Sequence, residues 1–206
     1  GKTPIASSRL IYDKIDKEIR NLFEQKGIQY VTNLPSKYGG HHFGLSWQQT
    51  YSTDNPCDVE EFCTKHGIKY QWVDPISGEL LDKSAITSNK NITLRTIRIC
   101  PAVRRDENGI KYWFNHSHLF HPSDLTLSAR EGLQKLIPEE LFPKNCYFGD
   151  GASIPEEFLS HIRNTMRNCE HGFHWKTGDI LLINNLTICH GRHSFTGPRK
   201  ILVSMK

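Results

Sequence analysis

The chain has 206 residues, of which 37% are hydrophobic and 23% are charged, and its formal net charge is +4. This length suits one domain with a sizeable core and is short for two. The Lys and Arg residues are scattered among acidic ones, and no apolar run approaches the roughly 18 residues of a membrane span, so neither a nucleic-acid partner nor a membrane segment is predicted.

The cysteines and the first residues bear on where the protein works. Six cysteines are present without a Cys-x-x-Cys pair: Cys57, Cys63, Cys100, Cys146, Cys169 and Cys189. No secretory segment is recognisable at the start, so reduced thiols and a cytoplasmic location are expected. The opening "GKTPIASSRLIY" lacks an initiator Met and begins in mid-pattern, which indicates that the sequence belongs to something longer.

The N-terminal third is predicted to hold two helices with a strand between them. Apolar residues recur at steps of three and four over 8–27, which predicts one amphipathic helix that stops at Gly27. The run "IQYVTNL" then predicts a short strand. A second helix is predicted over 56–66, because Asp54 or Asn55 can serve as the N-cap and Pro56 suits the first helical position.

The rest of the chain mixes strands and helices irregularly. Strands are predicted at 68–73, 91–103, 111–115, 179–185, 187–192 and 199–205, and helices at 127–136 and 155–169. Many short strands without regular alternation of strand and helix favour an α+β antiparallel sheet or barrel with helical insertions. The chain contains neither Gly-x-Gly-x-x-Gly nor a P-loop motif, so no dinucleotide or nucleoside-triphosphate site is predicted.

Two residues near the C-terminus could carry chemistry together. His190 follows an apolar run, where an imidazole can point one nitrogen into a cavity as a metal ligand or general base. Arg199, on the next predicted strand, presents a planar fork of donors that matches a carboxylate. The pair predicts a metal-holding imidazole beside a carboxylate-holding guanidinium. Spacing alone leaves open the alternative of an ordinary histidine at the rim of the sheet.

Several segments resemble one family. The stretch "GDILLINNLTICHGRHSFTGPRKILVSM" resembles the C-terminal signature of the taurine dioxygenase and clavaminate synthase-like family of iron(II), 2-oxoglutarate-dependent oxygenases. The opening is similar to that family's Gly-Gly-Glu-Thr-Pro segment. Between them, "GLSWQQTYSTDN", "KYWFNHSHLFHPSDL" and "CYFGDGASIPEEFL" resemble the subgroup that includes tailoring hydroxylases of peptide-antibiotic pathways. The resemblance covers essentially the whole chain in order.

The resemblance implies a fold and an activity. It implies a double-stranded β-helix, or jelly roll, of which residues 1–206 would form the C-terminal two-thirds of a single oxygenase domain, with a helical or loop insertion around 40–75. It implies iron(II) on a facial triad of two His and one Asp or Glu, with 2-oxoglutarate and O2 as co-substrates. The implied reaction oxidises, most often by hydroxylation, an unactivated C–H bond of a small molecule and yields succinate and CO2.

The resemblance also assigns site residues one by one. His190 matches the distal iron ligand, and Thr3 matches the threonine that hydrogen-bonds the co-substrate. Arg199 matches an arginine on the final strand that pairs with a 2-oxoglutarate carboxylate. Arg192 is the second candidate for that carboxylate, because Val203 stands where some members carry a further arginine.

The histidine-rich segment "FNHSHLFH" has three readings. His116 and His118 alternate about Ser117 on a predicted strand end and would face one side, where His-x-His could hold a metal. In the family resembled, this segment lines the substrate side, which implies a substrate-binding role for Asn115 or His118. The third reading is plain packing.

The four tryptophans, Trp47, Trp72, Trp113 and Trp175, are predicted to pack in the core or the insertion.

The family's His-x-Asp/Glu motif is absent from the chain. None of the eleven histidines is followed two positions later by Asp or Glu. In the family that motif lies just upstream of the segment that matches residues 1–4, so it is expected outside this sequence. Since one imidazole cannot hold a stable iron site, activity is expected of the longer protein. The alternative is a jelly-roll remnant that binds a small acid or a protein partner without metal.

Overall fold

The computed structural model describes residues 2–40, 44–198 and 200–204. Its strands are β1 (Lys2–Ser7), β2 (Ile28–Leu34), β3 (Lys69–Val73), β4 (Thr93–Cys100), β5 (Val103–Arg105), β6 (Lys111–Trp113), β7 (Lys144–Phe148), β8 (His171–His174) and β9 (Ile188–His190). Its helices are α1 (Ser8–Lys14), α2 (Lys17–Lys26), α3 (Trp47–Tyr51), α4 (Pro56–Lys65), α5 (Lys83–Ser88), α6 (Ser117–Phe120), α7 (Leu127–Gln134) and α8 (Glu156–Cys169).

The described strands pair in three antiparallel sheets. The orders are β8-β1-β9, β3-β4-β2-β7 and β5-β6. In the four-stranded sheet, β2 lies between β4 and β7 and pairs with β4 over its whole length, from Ile28 opposite Cys100 to Leu34 opposite Leu94. The prediction of an α+β fold with antiparallel sheets is confirmed. The double-stranded β-helix, together with the domain bounds and the insertion around 40–75, stays a prediction.

The largest hydrophobic cluster packs the helices against the sheets. Its buried residues come from α1, α2, α8 and several strands, and include Ile11, Phe23, Phe148 and Leu159. The Phe23 ring centroid lies 5.2 Å from those of Trp113 and Phe148. Burying an aliphatic or aromatic side chain of this size stabilises the fold by about 1.5–3 kcal/mol relative to exposing it. This cluster therefore fixes α8 and α1 beneath the three-stranded sheet β8-β1-β9.

The first predicted helix is interrupted, so the expectation of one continuous helix is wrong. The backbone is extended at Ile15, with ψ 136°, and α2 starts after Asp16. In an unbroken helix the Asp16 amide would donate to the Tyr12 carbonyl. Instead, Asp16 N donates to His161 Nε2 at 3.1 Å. The Tyr12 carbonyl accepts from Arg20 Nη1 at 2.9 Å, so both ends of the lost bond are satisfied and the break costs little.

A second cluster lies between α3, α4 and the strands β3 and β4. Trp47 and Trp72 meet edge to face with centroids 5.1 Å apart. The indole of Trp47 donates to the Ile92 carbonyl, and that of Trp72 donates to a Glu60 carboxylate oxygen. The predicted packing role of these two tryptophans is confirmed. His41 to Phe43, in the neighbouring predicted loop, lie outside the described residues.

Two glycines allow the end of α2 to approach the end of β7. Gly27 follows α2 with a φ of +67°, which favours glycine, and its carbonyl accepts from Gly149 N at 3.1 Å. A Cβ on Gly149 would overlap the Lys26 carbonyl oxygen, and a Cβ on Gly27 would lie 2.9 Å from the Cys100 carbonyl oxygen. The end of β7 can therefore touch the end of α2 because Gly149 lacks a side chain, and the end of β4 can lie close to Gly27 because Gly27 lacks one.

Two predicted C-terminal strands are absent from the described residues. Residues 179–185 pair with none of the described strands, and Ile180 and Leu182 are each 94% exposed. Residues 200–204 are likewise irregular, and Arg199 lies outside the described residues. An apolar run becomes a strand only where a neighbouring strand pairs with its backbone and another layer covers it. The described residues provide neither a pairing strand nor a covering layer for these two runs. The strand predicted at 187–192 is present as the shorter β9.

The cysteines agree with the expectation of reduced thiols. All six cysteines are free thiols. Among the described residues, no helix has both the length and the apolar character that crossing a bilayer demands.

Candidate functional site

Thr3 and His190 lie on the same face of the three-stranded sheet. In the central strand β1, Ile5 stands opposite His171 of β8 on one side and opposite His190 of β9 on the other. Thr3 stands opposite Phe173 of β8. Opposed residues of an antiparallel pair share a face, as do alternate residues along a strand. All five side chains therefore project from one face, which we call the Thr3 face.

Arg192 belongs to the Thr3 face as well. Two backbone hydrogen bonds continue the pairing with β1 beyond β9: Gly191 N to Pro4 O at 3.0 Å and His193 N to Lys2 O at 3.2 Å. In this register Arg192 stands opposite Thr3. Its guanidinium carbon lies 4.4 Å from the ring centroid of Phe195, so the side chain is held by stacking. An imidazole, a hydroxyl and a guanidinium thus belong to the same face of this sheet.

The Thr3 hydroxyl is held by a tryptophan. Only 8% of Thr3 is exposed, and its Oγ1 accepts a hydrogen bond from Trp175 Nε1 at 2.6 Å. Trp175 lies just past β8, two residues after Phe173, and the two rings are in contact with centroids 5.0 Å apart. The packing role predicted for Trp175 therefore omitted its main contact, which is polar and lies on the Thr3 face.

The opposite face of this sheet belongs to the core. Ala6 stands opposite Cys189 there, and both belong to or pack against the largest hydrophobic cluster. Burial raises the pKa of the Cys189 thiol, although its contact with the Ser8 hydroxyl at 3.2 Å acts in the other direction. A thiol held protonated in this way is a packing group and not a nucleophile. The chemistry available to this sheet is therefore on the Thr3 face.

The predicted substrate residues lie outside this sheet. Asn115 follows β6; its amide nitrogen donates to the Ala102 carbonyl, and its oxygen accepts from the amide and the hydroxyl of Ser117. The expected common face for His116 and His118 is wrong, because the segment forms α6 instead of a strand end. His116 is exposed at the start of that helix, whereas His118 is buried. The helix turns the two imidazoles in different directions.

His118 is the most strongly perturbed histidine of the site candidates. It is 7% exposed, and within the described residues its Nδ1 has no hydrogen-bond partner. Burial, together with smaller contributions from the nearby His116 and Arg163, lowers the pKa of His118 to about 4. The imidazole is therefore neutral near pH 7. Its own backbone carbonyl accepts two hydrogen bonds from the Arg163 guanidinium, which ties α6 to α8.

The low pKa of His118 predicts an acid-sensitive fold. The unfolded chain takes up a proton near the ordinary pKa of 6.5 and the folded chain only near 4, so stability is full above pH 6.5 and falls as the pH drops toward 4. The loss amounts to about 3 kcal/mol. Urea unfolding at pH 7 and at pH 4 should show a smaller pH dependence for His118→Gln than for the unchanged chain. Equal pH dependence in the two would contradict this role for His118.

Comparison with known proteins assigns the family. The family model "Taurine catabolism dioxygenase TauD, TfdA family" matches residues 1–205. The chain belongs to the TauD/TfdA family. The dapdiamide synthesis protein DdaC of Enterobacter agglomerans is 35% identical over 206 residues, which is all of this chain and 56% of that protein. The clavaminate synthase-like protein At3g21360 of Arabidopsis thaliana is 27% identical over 214 residues, again 56% of its length. The chain thus spans about half the length of these curated relatives.

The TauD/TfdA family generally uses iron(II), 2-oxoglutarate and O2. The described residues do not fit iron by themselves, since no three His, Cys, Asp or Glu side chains come together as a metal site in that part of the chain. His190 is exposed and offers one imidazole. The Thr3 face does carry a hydroxyl and a guanidinium, which are groups that can donate hydrogen bonds to carboxylate oxygens. It also carries one imidazole, which is a candidate metal ligand.

Proposed function

We propose that the protein containing this chain is an iron(II)- and 2-oxoglutarate-dependent oxygenase that hydroxylates an unactivated C–H bond of a small molecule. The observation that supports it is the shared face of Thr3, His190 and Arg192, formed by segments more than 180 residues apart in sequence. Residues 1–206 would form the C-terminal two-thirds of a single jelly-roll domain. Its other metal ligands, a His and an Asp or Glu, would come from outside this sequence.

Each residue of the Thr3 face has a proposed role. His190 supplies an imidazole nitrogen to the metal. Thr3 donates its hydroxyl proton to a carboxylate of 2-oxoglutarate, and Arg192 or Arg199 pairs with a carboxylate of the same molecule. Arg199 lies outside the described residues, so Arg192 is the arginine whose position on this face supports a role. Asn115 and His118 are proposed to act on the substrate side, where His118 is a neutral imidazole.

The proposed reaction balances without any further oxidant. O2 supplies one oxygen atom to the substrate as hydroxyl and one to 2-oxoglutarate, which loses CO2 and becomes succinate. Bound iron would supply the oxidising chemistry. This chain's residues bind and orient the co-substrate, and no chemical step is assigned to them.

Succinate release tests the proposed function. The full-length protein, incubated with iron(II), ascorbate and 2-oxoglutarate, is expected to form succinate, and a sample treated with a metal chelator is expected to form none. Succinate is quantified by chromatography. If the folded protein forms no succinate and does not bind 2-oxoglutarate in calorimetry, the non-catalytic remnant is the better assignment. The lack of a three-ligand group among the described residues is the observation that favours that alternative.

A further inference from the structure

We propose that Trp175 is a positioning residue that orients the Thr3 hydroxyl as a hydrogen-bond donor toward the 2-oxoglutarate carboxylate. The proposal rests on the proposed function, since it concerns how the same face holds its acid. It concerns binding of the co-substrate and not the oxidation itself.

The proposal rests first on the direction of the hydrogen bond between Trp175 and Thr3. The indole N–H of Trp175 can only donate, so Thr3 Oγ1 is the acceptor in the 2.6 Å contact. A threonine hydroxyl has two lone pairs and one proton. The bond to the indole therefore occupies a lone pair and turns the hydroxyl proton away from Trp175. What Thr3 offers to any other partner in that direction is a donor, which is the polarity that a carboxylate needs.

The second step is that the indole is itself held in place. Its ring lies against Phe173, which stands opposite Thr3 in the β1–β8 pair. The chain turns immediately after Trp175, where Lys176 N donates to Asp179 Oδ2 at 2.7 Å and Asp179 N donates to the Lys176 carbonyl at 3.1 Å. Strand pairing on one side and this turn on the other fix the backbone of Trp175. The indole can therefore keep the Thr3 hydroxyl proton out of the direction of Trp175 before the ligand arrives.

The third step gives the expected consequence for binding. An oriented donor loses less freedom when it binds its acceptor than a freely rotating one does. The hydrogen bond from an oriented hydroxyl to a charged carboxylate should strengthen 2-oxoglutarate binding by about five- to tenfold. Removing the indole N–H while keeping an aromatic ring should therefore raise the Kd and the KM for 2-oxoglutarate and leave kcat nearly unchanged.

A matched pair of tryptophans makes the test specific. Trp175→Phe removes an indole N–H that is bonded to Thr3, whereas Trp113→Phe removes a buried indole N–H that has no partner among the described residues. In metal-loaded full-length protein, calorimetry should show a Kd for 2-oxoglutarate about five- to tenfold higher for Trp175→Phe. Trp113→Phe should stay within about twofold of the unchanged protein. Thermal unfolding of both variants shows whether either change acts only through folding.

A double-mutant cycle shows whether Trp175 acts through Thr3. Thr3→Val should weaken 2-oxoglutarate binding, and adding Trp175→Phe to Thr3→Val should change nothing more. Thr3→Ser, which keeps the hydroxyl, should retain the sensitivity to Trp175→Phe. The inference is overturned if Thr3→Val weakens binding while Trp175→Phe alone does not, or if the two effects simply add. If the unchanged protein binds no 2-oxoglutarate, the proposed function itself fails, and this inference with it.

Discussion

His190→Ala is expected to lower the iron-dependent 2-oxoglutarate turnover of the full-length protein by more than about 100-fold. Loss of a group that merely orients a metal ligand already costs about 10–100-fold in metal affinity or activity, and loss of the ligand itself should cost more. His190 is exposed at the end of β9, so the substitution removes few packing contacts. The initial rate of succinate formation, measured over a range of iron(II) concentrations, checks the prediction.

His174→Ala is the matched control for this substitution. His174 is also exposed, lies in the same sheet and stands opposite Lys2 in the β1–β8 pair. That register places it on the face opposite to Thr3 and His190. We expect His174→Ala to keep turnover within about twofold of the unchanged protein. Turnover that survives in His190→Ala, or that is lost equally in both variants, would be incompatible with a metal-ligand role for His190.

Leu159→Ala is expected to lower the free energy of unfolding by about 2–5 kcal/mol. Leu159 is fully buried on α8 in the largest hydrophobic cluster, so truncation removes apolar contacts and leaves a cavity that the packed helices cannot close. Urea unfolding followed by circular dichroism measures the change. The expected loss is a large share of the roughly 5–15 kcal/mol that a typical domain possesses.

Leu127→Ala provides the same chemical change at an exposed site. Leu127 begins α7 and is 73% exposed, so its truncation should change the free energy of unfolding by less than about 0.5 kcal/mol. Similar losses for the two variants would mean that α8 is not packed as described. Because Leu159 lies beneath the sheet and not on the Thr3 face, its loss should act through folding and not through the Kd for 2-oxoglutarate.

Local signals in the sequence were sufficient for three of the four strands in the four-stranded sheet and for the longer helices, whereas β7 and the short helices α3, α5 and α6 were not predicted. The strand predicted from "IQYVTNL" is β2 without any change of bounds, and Asn55, one of the two predicted N-cap candidates, accepts from Cys57 N at the start of α4. These elements carry apolar periodicity, caps and turn residues within a few positions, and packing agrees with them. The break at Ile15 and Asp16 was not predictable in this way, because the partner that replaces the helical hydrogen bond, His161, is remote in sequence.

The candidate site was only half visible in the sequence. His190, Thr3 and Arg192 were identified through family resemblance, but β1 and β8, which bring them together, were not predicted as strands. Neither strand has a long apolar run, because one face of this sheet carries polar side chains. The contact between Trp175 and Thr3 was also missed, because it depends on the pairing of these two unpredicted strands. Only the pairing of β8 with β1 reveals that residues 172 positions apart share a hydrogen bond.

The contact between Gly27 and Gly149 has a consequence for how this protein can diverge over time. A mutation at either codon that introduces a Cβ sets it against a backbone carbonyl, and a backbone cannot rotate aside as a side chain can. A substitution at Gly149 is therefore tolerated only if the end of β7 moves away from α2, and one at Gly27 only if the end of β4 moves away. Gly40 and Gly132, which have no atoms within 4 Å of a built Cβ, are open to drift. Tolerance to variation is therefore set by the neighbouring chain and, at Gly27, also by the positive φ of the glycine itself.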